Sequence, residues 1–268
     1  MTGAASPARE SSAAQTRPAL ISIRDLWKQL GEQQVLKGFD LDVATGETLV
    51  IVGRSGGGKS VLLKHIIGLM KPDKGDVLVE GESIVALTER QLSRVRKKIA
   101  VLFQSAALFD SMTVEENIAF PLREHGLKDA AIIDEKVAGA LAMVDLAGEQ
   151  KKMPEKLSGG MRKRVGLARA IVTEPQCILY DEPTTGLDPI VADSINRLIR
   201  RLQKRLGITS IVVTHDMKSA FHVADQVAYL YDGRAYFRGT PDALRASTDP
   251  LIHDFIEGRS RELKNDGD

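Results

Sequence analysis

Cysteine is nearly absent from this 268-residue chain: the single one, Cys177, lies inside the apolar run CILY. One thiol cannot build a disulfide framework, so a bridge-stapled secreted scaffold is excluded. Cys177 reads as a small buried hydrophobe, and the chain suits a reducing compartment. Long apolar runs are missing too. No stretch approaches the roughly 18 residues of a membrane span, and no hydrophobic signal-peptide region stands at the N-terminus, so any work at a membrane is expected to pass through a partner. A dominant charge is the third absence. The 37 basic residues stand against 36 acidic ones, a formal net charge of +1, which gives no global attraction to nucleic acid. Two local basic runs, Arg94, Arg96, Lys97, Lys98 and Arg162, Lys163, Arg164, read as solvated helix faces.

What is present is an apolar content of 43%, enough at this length for one substantial core, alone or with a smaller lobe. Residues 1 to about 18, rich in Ala, Ser and Pro without apolar periodicity, read as a flexible tail, and RSRELKNDGD (259 to 268) as a short polar one. Between them, over 19 to 258, β-type runs alternate with helical patterns. TLVIV (48 to 52) leads through GRSGGGKS into VLLKHIIGLM, a nearly all-apolar segment that reads as a buried helix. QCILYD (176 to 181) and TSIVVTH (209 to 215) are short apolar runs ending in polar residues, as parallel strands buried on both faces do where they deliver chemistry. Val191, Ile195, Leu198, Ile199, Leu202 and Leu206 mark one face of a helix that Gly207 can cap. The fold class is therefore α/β. ISIRDL and DVLVEGESI look like flanking antiparallel strands, and QVAYLYDGRAYFRG like a hairpin turning at Asp232-Gly233. From about 105 to 165, where Thr113 and Glu116 form a capping-box pattern, the periodicity is helical with no strand, which predicts a helical lobe inserted into the α/β core.

The chemistry starts at Gly53-x4-Gly58-Lys59-Ser60. Between a strand and a helix this is the P-loop pattern: glycines let the backbone wrap a phosphate, Lys59 supplies a cation to the β and γ phosphates, and Ser60 a hydroxyl for Mg²⁺. At the end of ILYDE, Asp181 can hold Mg²⁺ and Glu182 can polarise an attacking water. His215 arrives at the same sheet edge after IVVTH. Gln104, in VLFQS where the core passes into the lobe, can contact metal or water without adding charge. LSGGM (157 to 161) opens a second helix with exposed backbone N–H groups, a second anion site in one domain.

In this order and spacing, GRSGGGKS, FQ, LSGGM, LYDEP, TTGLDP and VVTHD resemble the Walker A, Q-loop, signature, Walker B, D-loop and H-loop motifs of ABC transporter ATPases, over roughly residues 20 to 245. The resemblance implies a P-loop NTPase (RecA-like) core with an antiparallel β subdomain and a helical insertion, hydrolysing ATP with Mg²⁺. It implies nucleotide contacts from Gly53, Arg54, Ser55, Gly56, Gly57, Gly58, Lys59, Ser60 and Val61, metal contacts from Ser60, Gln104 and Asp181, and catalytic roles for Glu182, His215 and Gln104. It also accounts for the second anion site: Ser158, Gly159 and Gly160 would bind the γ-phosphate of a second subunit, and Asp188 would link the two sites across a homodimer. The segment VLFQSAALFDSMTVEENIAFPLREH, the Met that ends LSGGM, and DPLIHDFIEG resemble the Mla (MlaF-like) branch of MCE-associated transporters, which move phospholipid between bacterial membranes and include toluene-tolerance systems. That implies an integral membrane permease docked beside the Q-loop, with Ala106, Ala107, Leu108 and Phe109 either carrying partner identity or simply packing the lobe. It further implies an MCE-domain lipid-binding protein in the same complex, no nucleic acid, and a peripheral position on the cytoplasmic face of the inner membrane. The aromatic on which many such ATPases stack adenine falls at Leu30, with Trp27 nearby. Amino-acid or metal import remains the alternative cargo, and action on nucleic acid or ribosomes a more distant one, since the chain has neither paired ATPase modules, nor a long coiled coil, nor zinc cysteines.

Overall fold

The computed structural model describes residues 18–259. The tails expected at 1 to 18 and 259 to 268 lie outside the described residues, apart from Pro18 and Arg259. In chain order the elements are β1 (Ala19–Leu30), β2 (Gln33–Ala44), β3 (Thr48–Val52), α1 (Lys59–Ile66), β4 (Lys74–Val79), β5 (Glu82–Ser83), α2 (Glu89–Lys98), β6 (Ile99–Leu102), α3 (Val114–Glu124), α4 (Ala130–Met143), α5 (Gly159–Ile171), β7 (Cys177–Asp181), α6 (Pro189–Leu206), β8 (Thr209–Thr214), α7 (Met217–Val223), β9 (Gln226–Tyr231), β10 (Arg234–Gly239), α8 (Pro241–Arg245) and α9 (Pro250–Ile256), with a 3₁₀ turn at Pro154–Lys156.

Two sheets organise the molecule. The larger runs β10-β9-β3-β8-β7-β6, parallel from β9 to β6 with β10 antiparallel at one edge; the smaller, β2-β1-β4-β5, is antiparallel throughout. Parallel strands covered on both faces are apolar on both sides, and residue parity divides them between two cores. Val50, Val52, Ile178, Tyr180 and Val212 pack with α3 to α6, whereas Leu49, Ile51, Leu179, Ile211 and Val213 pack with α1 and the antiparallel sheet. The Asp232-Gly233 turn places both residues at positive φ, 46° and 72°, as a type I′ hairpin requires, and the hairpin extends the large sheet through β9. Between β6 and β7 the described residues hold α3, α4, the 3₁₀ turn and α5, and no strand. Helix α5 continues to Ile171, past the 165 at which the helical lobe was expected to end.

Three expectations change. The apolar segment after the P-loop is helical only to Ile66, because Gly68 turns left-handed at φ 65° and the Leu69 N–H closes the last turn on the Lys64 carbonyl; Leu69 itself is exposed. Strand β2 was not anticipated, although Phe39, Leu41 and Val43 alternate inward along it. On α6, Ile195, Leu198, Ile199 and Leu202 are buried, but Leu206 is exposed at the helix end, which Gly207 caps at φ 65°.

Candidate functional site

Four parallel strands end at one edge of the large sheet and each carries a candidate group there: β3 leads into the Gly53–Gly58 loop, β6 into Gln104, β7 into Asp181 and Glu182, and β8 into His215. This is the edge where open parallel sheets bind ligands. The loop needs its glycines for space. A Cβ on Gly53 would stand 2.6 Å from the Leu230 carbonyl, and Gly58, at φ 99°, would strike Val35 at 2.8 Å. Gly58 also starts α1 without a side-chain cap, so the first-turn N–H groups of Lys59, Ser60 and Val61 stay available to an anion.

Lys59 is 6% exposed and donates to the Gly53 and Arg54 carbonyls at 2.9 and 3.1 Å, with Glu182 Oε1 3.6 Å away. Burial holds its pKa below the usual lysine value, and the Glu182 charge opposes that shift. Glu182 has a left-handed backbone (φ 48°), a conformation that costs energy for a non-glycine residue and that clusters at working sites. Its Oε2 accepts the Thr185 hydroxyl at 3.2 Å and the Thr214 hydroxyl at 3.1 Å, and His215 Nδ1 lies 3.0 Å from both carboxylate oxygens. Neither threonine was singled out in the sequence. Their only signal was position, one behind the DE pair and the other just before His215.

The Ser60 hydroxyl donates to Asp181 Oδ1 at 2.9 Å. Two oxygen donors side by side suit a hard cation. Among the described residues no group of three or more His, Cys, Asp or Glu side chains could hold a metal by itself. That donor set fits Mg²⁺, which keeps several waters and takes phosphate oxygens, better than an all-protein cage. A cleft of about 280 Å³ gathers Ser55, Gly56, Gly58, Lys59, Ser60, Val61, Gln104, Glu182, Thr185 and His215.

Ser158, Gly159, Gly160 and Asp188 do not line that cleft. Ser158 caps α5 by accepting from the Met161 N–H at 3.2 Å, and Asp188 caps α6 through the N–H groups of Ile190 and Val191, each at 3.0 Å. The first turn of α5 packs against the start of α6: a Cβ on Gly160 would lie 2.6 Å from Val191 Cγ1, and one on Gly159 3.3 Å from Leu187. The signature glycines therefore have a packing reason as well as an anion-binding one.

In the Arg162–Arg164 run only Arg162 is on a solvated face; Lys163 is buried and Arg164 half-buried. Lys163 is 5% exposed and donates to the Gln104 backbone carbonyl; Arg164 donates to Val144 O, Asp145 Oδ2 and Ser194 Oγ, each at 2.7 Å, and Arg162 to Leu157 O at 2.6 Å. Burial lowers the Lys163 pKa against the pull of Asp181 and Glu182. In the other run, Arg96 donates to the carbonyls of Ile67 and Gly68 and Lys98 pairs with Glu80, while Arg94 and Lys97 are exposed. Of the four residues after the Q-loop, Ala106 is wholly buried against Gly166, whereas Phe109 is 42% exposed. Phe109 borders a groove of about 470 Å³ with Phe103 and Phe120. Trp27 is engaged by Asp25 at 2.6 Å and by Lys74 above its ring, which leaves Leu30, 40% exposed, as the open side chain at the end of β1.

The fold and the cleft define a P-loop nucleotide hydrolase. The model of the ABC transporter family matches residues 36–185, and the chain belongs to that family. It is 41% identical over 239 residues to "Intermembrane phospholipid transport system ATP-binding protein MlaF" of Escherichia coli (strain K12), covering 89% of each chain. It is 40% identical over 239 residues to "Probable ribonucleotide transport ATP-binding protein mkl" of Mycobacterium leprae (strain TN), covering 89% of this chain and 69% of that protein. Among solved structures it resembles the dimeric post-hydrolysis state of the ATP-binding cassette MJ0796 bound to ADP and Pi, with TM-score 0.75, 31% identity, and 82% and 98% of the two chains covered. It also resembles cbiO1 from Clostridium perfringens, with TM-score 0.79, 29% identity, and 88% and 94% covered. The chain is thus an ATP-hydrolysing, transport-coupled ABC subunit.

Proposed function

We propose that two copies of the chain, head to tail, close over two Mg·ATP and drive a membrane permease that moves phospholipid between the inner and outer membranes. The observation behind the dimer is that a second uncovered helix start, that of α5 at Ser158, Gly159 and Gly160, stands outside the cleft around Lys59, and the similar cassette MJ0796 is dimeric with ADP and Pi bound. In this reading the Gly53–Gly58 loop, Lys59 and Ser60 bind the phosphates, and the partner copy's signature loop covers the γ-phosphate. Glu182 accepts a proton from the attacking water, His215 steadies Glu182, and Gln104 reports the nucleotide to the helical lobe. Ser60, Asp181 and Gln104 would hold Mg²⁺, which when bound neutralises phosphate charge. The Phe103, Phe109 and Phe120 groove beside Gln104 is the permease dock, which puts the protein peripherally on the cytoplasmic face of the inner membrane. An MCE-domain protein completes the complex. None of the described helices is long and apolar enough to cross a membrane.

Mixed dimers isolated with two tags test the pairing. One protomer with Ser158→Arg opposite a partner with Lys59→Ala keeps one intact trans pocket and retains turnover; both changes in one protomer opposite an unaltered partner leave none. The reverse pattern means that pockets are completed within one chain and overturns the reading. Glu182→Gln is expected to lower kcat by roughly 10²- to 10⁴-fold while ATP still binds and traps a dimer.

The identity to the mycobacterial ribonucleotide-transport proteins favours a second reading in which the cargo is a ribonucleotide. Purifying the complex from membranes separates the two. Phospholipid with an MCE-domain protein supports lipid transport; bound ribonucleotide cargo, or a solute-binding protein of an amino-acid or metal importer, counts against it.

A further inference from the structure

Thr184, Asn196 and Ser219 meet out of solvent between α6 and α7, and the nucleotide-site reading uses none of them. A serine hydroxyl has one proton to give and two lone pairs to fill. That of Ser219 uses all three: it donates to Asp216 Oδ2 at 2.5 Å, accepts from Asn196 Nδ2 at 2.8 Å, and lies 3.3 Å from Thr184 Oγ1. Because the Ser219 proton is committed to Asp216, Thr184 is the donor in the third bond. The line continues from Asp216, whose backbone N–H donates to Thr214 Oγ1 at 3.0 Å, and the Thr214 hydroxyl donates to Glu182 Oε2 at 3.1 Å. These two hydroxyls each have a carboxylate for acceptor, Asp216 for Ser219 and Glu182 for Thr214, and a carboxylate only accepts, so the donor direction is fixed at both; the two pairs are tied together through the covalent frame of Asp216.

Asp216 and Thr214 flank His215, so the turn that carries the histidine is gripped on both sides. At the other end Asn196 sits on α6, the helix whose first turn presses Val191 against Gly160.

We propose that Ser219 and Asn196 are positioning residues for ATP hydrolysis: through Asp216 and Thr214 they set the His215 turn and the Glu182 carboxylate, and they make that setting depend on how α6 lies against the signature loop. This rests on Glu182 acting as the base.

The test measures kcat, KM for ATP and melting temperature on the full-length chain. Ser219→Ala removes the hub and is expected to lower kcat about 10- to 100-fold with KM little changed, since small misplacements of a catalytic group cost rate rather than affinity. Ser219→Thr, which keeps the hydroxyl, recovers most of that loss, and Asn196→Leu shows a smaller fall in kcat. Because the residues act in one line, Ser219→Ala combined with Thr214→Val loses no more than the worse single variant. Gln203→Leu is the control. Gln203 is an equally buried amide on α6 that bonds Gly46 O at 2.7 Å, off the line, and its loss lowers the melting temperature without lowering kcat. A folded Ser219→Ala protein that turns over at the wild-type rate, a change confined to KM, or additive losses with Thr214→Val overturns the proposal. If Glu182→Gln itself keeps full turnover, the base assignment fails. If Glu182→Gln is inactive and Ser219→Ala is not, only the positioning role fails.

Discussion

Gly160→Ala is expected to change sign with its background. The added methyl would sit 2.6 Å from Val191 Cγ1, whereas carbon atoms rest at roughly 3.5–4.0 Å, so about 1 Å must be found. Val191 cannot easily supply it, because a β-branched side chain on a helix is held in essentially one rotamer. The start of α6 has to move instead. Overpacking of this kind costs about 1–3 kcal/mol, and replacing a helical glycine by alanine returns about 0.5–1 kcal/mol. The single variant should therefore lose up to about 2.5 kcal/mol, a fall of up to roughly 10 °C in melting temperature for a chain of this size. With Val191→Ala already present, the nearest remaining atom is Cβ at 4.0 Å, and the same Gly160→Ala step should be neutral or stabilising. Urea unfolding of the four proteins of this cycle, without nucleotide, reads the result. Equal destabilisation in both backgrounds would refute the packing argument, and an unchanged melting temperature in the single variant would show that α6 yields freely.

Asp188→Ala removes the acceptor for two N–H groups at the start of α6 and should cost about 1 kcal/mol in urea unfolding, with Asp188→Asn recovering most of it. Cys177 is wholly buried and its thiol is pushed above its ordinary pKa, so a thiol reagent should label it only after unfolding; fast labelling of the native protein would contradict the fold. Burial pushes the Tyr229 hydroxyl up to about 12, so the unfolded chain gives up that proton first. Its contribution is intact below the unfolded value of 10.0 and is lost as pH rises toward 12, and Tyr229→Phe should flatten that limb of stability measured against pH.

The parallel strands were legible because burial on both faces leaves uninterrupted apolar runs, and the groups that follow them, Lys59, Gln104, Asp181, Glu182 and His215, were legible because chemistry collects where such runs stop. Strand β2 is hard to read although its period of two is plain, since Asp40 and Asp42 between Phe39, Leu41 and Val43 give the stretch a polar look. The end of α1 is set by Gly68, whose left-handed turn closes the helix through the Leu69 N–H to the Lys64 carbonyl, a stop signal set inside an otherwise apolar run. Lys163, set between two arginines, has the composition of a wet helix face, and only the Gln104 carbonyl across the fold shows otherwise. Thr184, Asn196 and Ser219 come from three separate segments, and no spacing along the chain connects them.

Strand parity has a consequence for the acidic pair. Asp181 leaves β7 on the side of Leu179, the side where α1 packs, and so meets Ser60; Glu182, one residue on, turns to Thr214 and His215. A slip of β7 by one residue would exchange Leu179 with Ile178 and Tyr180 between the two cores and bring the wrong acid to each neighbour. The oily packing of the sheet thus acts as a lock on which carboxylate serves the serine and which the histidine, and neither duty can be reassigned by altering the loops alone.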